Sequence, residues 1–166
     1  MWTQDAEGRY EVATVEHLLQ IMENGQRFVN EGDFPADQWG ASASYVQTAD
    51  IDLQDWHAKI HPIGNATTNF YGQYDGGGHK ISNWLYTQPE NSPTVSAFGL
   101  FGAVTNAEIK HLCLEGVWTL SGSAHAVGCL IGLASESVVC NVTLGGTVDM
   151  KNFGSEGNTY VGGIIG

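Results

Sequence analysis

The chain has 166 residues, enough for one domain with a buried core. It carries 6 Lys+Arg against 18 Asp+Glu, a formal net charge of -12, while charged residues make up only 14% of the total. That balance supplies no basic patch for phosphates, which argues against nucleic acid and anionic membrane surfaces as partners.

Residues 1–44 differ in texture from the rest and read as an N-terminal cap. Thr14 can cap a helix over about 14–24, in which Val15, Leu18, Leu19 and Met22 keep helical spacing and Gly25 is the stop. Residues 26–44 read as a long loop that Phe34 and Trp39 can anchor. From Tyr45 the pattern turns to strands, and Ile51 and Leu53 alternate with Asp50 and Asp52. Asp75 followed by Gly76, Gly77 and Gly78 marks a sharp turn, because glycine supplies positive φ without steric cost. Residues 86–97, with Pro89 and Pro93, read as an excursion.

After Phe98 the chain nearly repeats itself. Phe98-Gly99-Leu100-Phe101-Gly102 is followed by a second copy at Val127-Gly128-Cys129-Leu130-Ile131-Gly132 and a third at Val161-Gly162-Gly163-Ile164-Ile165-Gly166. Gly102 to Gly132 spans 30 residues, as do Ile109 to Val139, Leu112 to Val142, Leu114 to Leu144 and Gly116 to Gly146. Gly132 to Gly166 spans 34, with extra residues around 154–158. A fixed register of apolar and glycine positions is the mark of stacked repeats, each burying its apolar face against its neighbour. Residues 45–166 are therefore predicted to form an all-β parallel β-helix, a β-solenoid, in preference to an antiparallel sandwich, which shows no such long register. The cap helix covers the first coil. At the other end the solenoid is expected to continue beyond residue 166 or to stack end to end on another subunit.

Few residues suggest chemistry. Asp50, Asp52 and Asp55 form an acidic run that can chelate calcium, although the glycine and later glutamate of a calcium loop are missing at the expected spacing. His57 and His61 stand four apart, but Pro62 discourages the helix that would put them on one face, and they read as surface residues. His111 and His125 have no visible partner, and His79 reads as the end of the glycine turn. Trp84 is aligned with Leu112 and Val142 and assigned to the core, whereas Trp118 and Trp56 are the candidate exposed aromatics for stacking on sugars. Cys113, Cys129 and Cys140 have no zinc-like or redox-like spacing and read as free thiols. Two Asn-x-Thr sequons occur, at Asn65 and Asn141. No catalytic residue and no cofactor is expected.

Two stretches resemble a known family. Ala49–Leu53, Pro62-Ile63-Gly64 and Phe70–Asn83 resemble the lead-in of GLUG-motif β-solenoid proteins, and the three glycine copies look like the repeats that name the motif. The likeness covers roughly residues 45–166. It implies a right-handed parallel β-helix used as stalk, spacer or binding surface in bacterial surface proteins and adhesins, with similar stretches beside some metallopeptidase domains and in structural proteins of large DNA viruses. The peptidase motif His-Glu-x-x-His is absent from this sequence, so the resemblance implies no protease activity here. It implies a non-catalytic module at the cell surface or outside the cell that binds a surface glycan or protein. The alternative is a virion component that assembles with other shell subunits; a polysaccharide-degrading enzyme is the outsider. No basic-plus-apolar signal peptide opens the chain and no ~20-residue apolar run occurs, so no membrane insertion is expected.

Overall fold

The computed structural model describes residues 2–22, 43–57, 60–65, 69–87, 95–121, 124–151 and 160–166. Gly25, Phe34, Trp39, Pro89, Pro93 and the segment around 154–158 lie outside the described residues.

The chain winds through three successive coils. A lead-in supplies β1 (Tyr10–Val12), α1 (Val15–Met22), β2 (Ser44–Gln47) and β3 (Ile51–Asp52). The first coil holds β4 (Gln73–Asp75), β5 (Lys80–Ser82), β6 (Leu85–Thr87), β7 (Val95–Phe98) and β8 (Phe101–Thr105). The second holds β9 (Glu108–Lys110), β10 (Cys113–Glu115), β11 (Val117–Ser121), β12 (Ala124–Val127) and β13 (Ile131–Ser135). The third holds β14 (Val138–Cys140), β15 (Thr143–Leu144), β16 (Thr147–Lys151) and β17 (Tyr160–Val161).

Each strand lies parallel on its counterpart one coil away, giving the ladders β1-β2-β4-β9-β14, β3-β5-β10-β15, β6-β11-β16, β7-β12-β17 and β8-β13. This is a parallel β-solenoid. Between the second and third coils the partners fall 30 residues apart through β14, β15 and β16, as in Ile109↔Val139 and Leu114↔Leu144, and 34 apart at β17, where Val127 pairs with Val161. Between the first and second coils the step is uneven: Tyr74 pairs with Ile109, Ile81 with Leu114 and Leu85 with Thr119.

Stacking puts like on like inside. Ile51, Ile81 and Leu114 form one buried column, and Tyr10, Tyr45, Tyr74 and Ile109 form another. Each fully buried side chain of this size contributes roughly 1.5–3 kcal/mol. The rings of Tyr45 and Tyr74 lie 6.4 Å apart, and burial pushes both phenols well above the usual tyrosine range.

At the first end the helix closes the core. Thr14 Oγ1 accepts the His17 N–H at 3.3 Å, an N-cap bond that satisfies one orphan donor of the first turn. Leu18, Leu19, Ile21 and Met22 are buried, and Trp2 stacks on His17 with centroids 4.3 Å apart. The described helix starts at Val15, directly after the cap residue Thr14 that the sequence points to.

The glycine motif marks the corner where the chain passes from β7 into β8 and from β12 into β13. None of these motif glycines has positive φ; what they provide is closeness. A Cβ on Gly132 would sit 2.6 Å from both N and O of Phe98, and one on Gly99 2.8 Å from Gly128 O. Strand backbones meet here with no room for a side chain. Gly163 has open space around it, and Cys129, at the matching place, is fully buried, so that position accepts a small side chain.

Gly132→Ala should therefore destabilise the protein by about 1–3 kcal/mol, the range for forcing extra atoms into a packed interior. Gly163→Ala should change stability by less than about 0.5 kcal/mol. Chemical denaturation of the two variants beside the wild type checks the contrast.

Candidate functional site

The polar side chains gather at one corner, where the β2-β4-β9 ladder turns into the β3-β5-β10 ladder. There the aspartates of one coil hold the next. Asp50 Oδ1 accepts the Lys80 N–H at 3.0 Å and lies 3.2 Å from His79 Nδ1. Asp75 Oδ1 accepts the Gly77 N–H at 3.0 Å and lies 3.0 Å from His111 Nδ1, while Arg9 reaches Asp75 Oδ2 at 3.3 Å. Lys80 Nζ bonds Glu115 Oε2 at 2.6 Å.

Asn83 links three levels. Its Nδ2–H donates to Asp52 Oδ1 at 2.9 Å below, and its Oδ1 accepts the Val117 N–H at 3.0 Å above. Its φ of 58° lies in the left-handed region, where asparagine is one of the few residues found routinely. Gln47, buried at the same corner, donates from Nε2 to the carbonyls of Ala49 and Lys80 and accepts the Tyr74 hydroxyl. Each of these buried polar atoms has a partner, as burial demands.

The carboxyls feel this setting. The Lys80 N–H, then His79, hold the Asp50 carboxyl below its ordinary value. For Asp75 desolvation pushes upward, but the Gly77 N–H and His111 together outweigh it and the carboxyl ends lowered.

The acidic run thus takes a different form from a chelating loop. Ile51 and Leu53 are buried, and Asp50 and Asp52 point outward, each already bonded to the next coil; Asp55 is exposed in the turn beyond. Among the described residues, no three His, Cys, Asp or Glu side chains come together as a metal-binding group. His57 and His61 are both exposed.

The aromatic expectation needs correction. Trp118 is fully buried, not exposed: it packs against Trp84 with centroids 5.4 Å apart, and its Nε1–H donates to the Glu115 carbonyl at 2.8 Å. The register sets this. Leu85 pairs with Thr119, so Trp84 stacks under Trp118 rather than in the column of Leu112 and Val142. Trp84 is buried as expected. Trp56 is half-buried against the core, and the exposed aromatics among the described residues are Tyr71 and Tyr160. Cys129 is buried, its thiol pushed up to about 11 by desolvation, while Cys113 is partly and Cys140 fully accessible.

The histidine contacts were the part that sequence reasoning missed. Asp50 and His79 are 29 residues apart, Asp75 and His111 36 apart, so no constant spacing announces them.

Comparison with protein-family models, with curated proteins and with solved structures finds no match to this chain.

Two outcomes follow from this geometry. Trp118→Ala should lower stability by about 3–5 kcal/mol, the cost of emptying a buried aromatic site, and calorimetry reads it as a lost or early transition. The lowered carboxyls give stability that is present above pH ~3.9, the unfolded aspartate value, and is lost as pH falls through the folded values. Melting temperature should hold level from pH 7 to 5 and drop below about pH 4, with a shallower acid limb in Asp75→Asn.

Proposed function

We propose that this chain is a non-catalytic surface module, a stiff β-solenoid that holds a binding face for a glycan or protein outside the cell. The observation that carries the reading is the use made of its charged and polar side chains. Asp50, Asp52, Asp75, Lys80, Asn83, His111 and Glu115 hold coil to coil rather than converging on a shared point in space. Such cross-coil bonds, added to continuous parallel ladders, resist shear between repeats, which is the property a stalk or spacer needs.

The resemblance to GLUG-motif repeats supports the same role and an exposed setting. The acidic balance, -12 overall, suits solubility at such a surface and disfavours polyanionic ligands. Calcium at Asp50, Asp52 and Asp55 is not part of this reading, since two of the three carboxylates already bond the neighbouring coil.

The reading is tested with the purified chain on a glycan and surface-protein array, with and without calcium. Saturable, calcium-independent binding is the expected result. A blank array combined with self-association in solution would replace it with a shell-assembly role, as in a virion.

A further inference from the structure

The two ends of the solenoid are finished differently. At the first end α1 lies over the core, and the residues before β1 cover its outer edge: the Glu11 N–H donates to the Thr3 carbonyl at 2.9 Å, and Gln4 bridges Tyr10 antiparallel. At the other end β14, β15, β16 and β17 are each the last member of a ladder, and among the described residues no strand lies beyond them. Val139, Leu144, Val148, Met150 and Val161 lie in register on Ile109, Leu114, Trp118, Leu120 and Val127, all of them buried. They continue the same inward columns, yet Val148 is 38% and Val161 59% exposed. This end therefore combines apolar side chains with a row of backbone N–H and C=O groups open to a further strand. The usual guards of such an edge are missing. The described residues of the third coil include no proline, and their only charged side chains, Asp149 and Lys151, stand on the outward side and pair with each other at 2.5 Å.

The edge is complementary to itself. Antiparallel pairing of β16 with a second copy, centred on Asp149, sets Val148 opposite the partner's Met150 and Met150 opposite the partner's Val148, so the inward side is apolar throughout. On the outward side the two Asp149 carboxylates meet at the centre. Each has Lys151 of its own chain beside it and the partner's Lys151 on the diagonal. Charge favours this end over the rest of the molecule for self-contact. The chain carries -12 overall, but the described third coil sums to zero, so two such ends approach with the least repulsion. Because α1 closes the first end, only like ends can meet. Like ends meet about a two-fold axis, which gives a closed dimer and no filament.

We propose that the third coil is a self-recognition surface, and that two copies of this chain join end to end as a non-covalent two-fold dimer with β16 paired against β16. The proposal does not rest on the surface-module reading, which stands or falls on its own array.

Sedimentation velocity over a concentration series tests it, with Val148→Lys as the disrupting variant. In a single chain that lysine reaches solvent from the open end; in the dimer it would lie against the partner's Met150. Gln73→Lys, outward on β4 in the first coil, is the control. The expected result is a monomer–dimer equilibrium for the wild type and for Gln73→Lys, and a dissociation constant raised at least about tenfold for Val148→Lys, the cost of burying an unpaired charge. Circular dichroism of all three should stay that of the folded chain. The pairing itself is read by Asp149→Cys in a Cys113→Ser, Cys140→Ser background, where mild oxidation should link the two copies through residue 149. A wild type that stays monomeric at every concentration at which it is soluble would overturn the proposal. So would a dimer that Val148→Lys leaves intact and Asp149→Cys does not link, since the contact would then lie on another face.

Discussion

The structure depends on one constraint: successive coils must lie a strand spacing apart, about 4.8 Å, around the whole circuit. Hydrogen bonding along the parallel ladders sets that distance, so that a strand residue's closest neighbours apart from its own chain neighbours are the residues one coil away. The glycine arches follow from it. Where β7 passes into β8 and β12 into β13, the backbones of neighbouring coils come close, and a side chain at Gly132 would collide with Phe98 one coil away. The polar corner follows as well, because aspartate and asparagine side chains are just long enough to reach the backbone of the coil above. Corner bonds and arches thus act together, the first holding coils in register and the second letting them close.

That constraint also explains why the chemistry is distributed as it is. In a solenoid, outward side chains form rows along the axis, so the character of a face is set coil by coil: Glu108 and Lys110 are followed by Val138 and Cys140, and Thr119 and Ser121 by Asp149 and Lys151. The ladder through Asp75 and Lys110 is charged, and its carboxylates are taken up by histidines, backbone N–H groups and Arg9. The ladder through Val117 and Thr119 is uncharged on its outward side in β6 and β11 and carries the Asp149–Lys151 pair in β16.

The fold was largely legible from residue 98 onward, where apolar and glycine positions recur at 30, then at 34 for the third glycine copy, and the ladders follow the same steps. Before residue 98 the step drifts. Tyr74 pairs with Ile109, Ile81 with Leu114 and Leu85 with Thr119, because the Gly76–Gly78 corner and the segment after β6 differ in length from their later counterparts. That drift produced the misplacement of Trp84 and, with it, the expectation of an exposed Trp118. A clue was present: Trp84 and Trp118 are each followed two residues on by an inward side chain, Tyr86 and Leu120, and aligning tryptophan with tryptophan would have recovered the register. The aspartate–histidine contacts had no comparable clue, since they join residues across coils of unequal length. The alternation around Asp50 and Asp52 was readable, but what the carboxylates bond was not.

The stacking register is tested most directly by a cross-link between coils. Lys110 and Cys140 are paired in the β9-β14 ladder, and both face outward. In a Lys110→Cys, Cys113→Ser variant, with the buried Cys129 left in place, the two accessible thiols should lie within the 4.4–6.8 Å Cα separation that a disulfide spans. Mild oxidation followed by peptide mapping should yield one intramolecular 110–140 bond in monomeric protein, with an undiminished melting temperature. Thiols that stay free, or that link only between molecules, would contradict the stacked-coil arrangement.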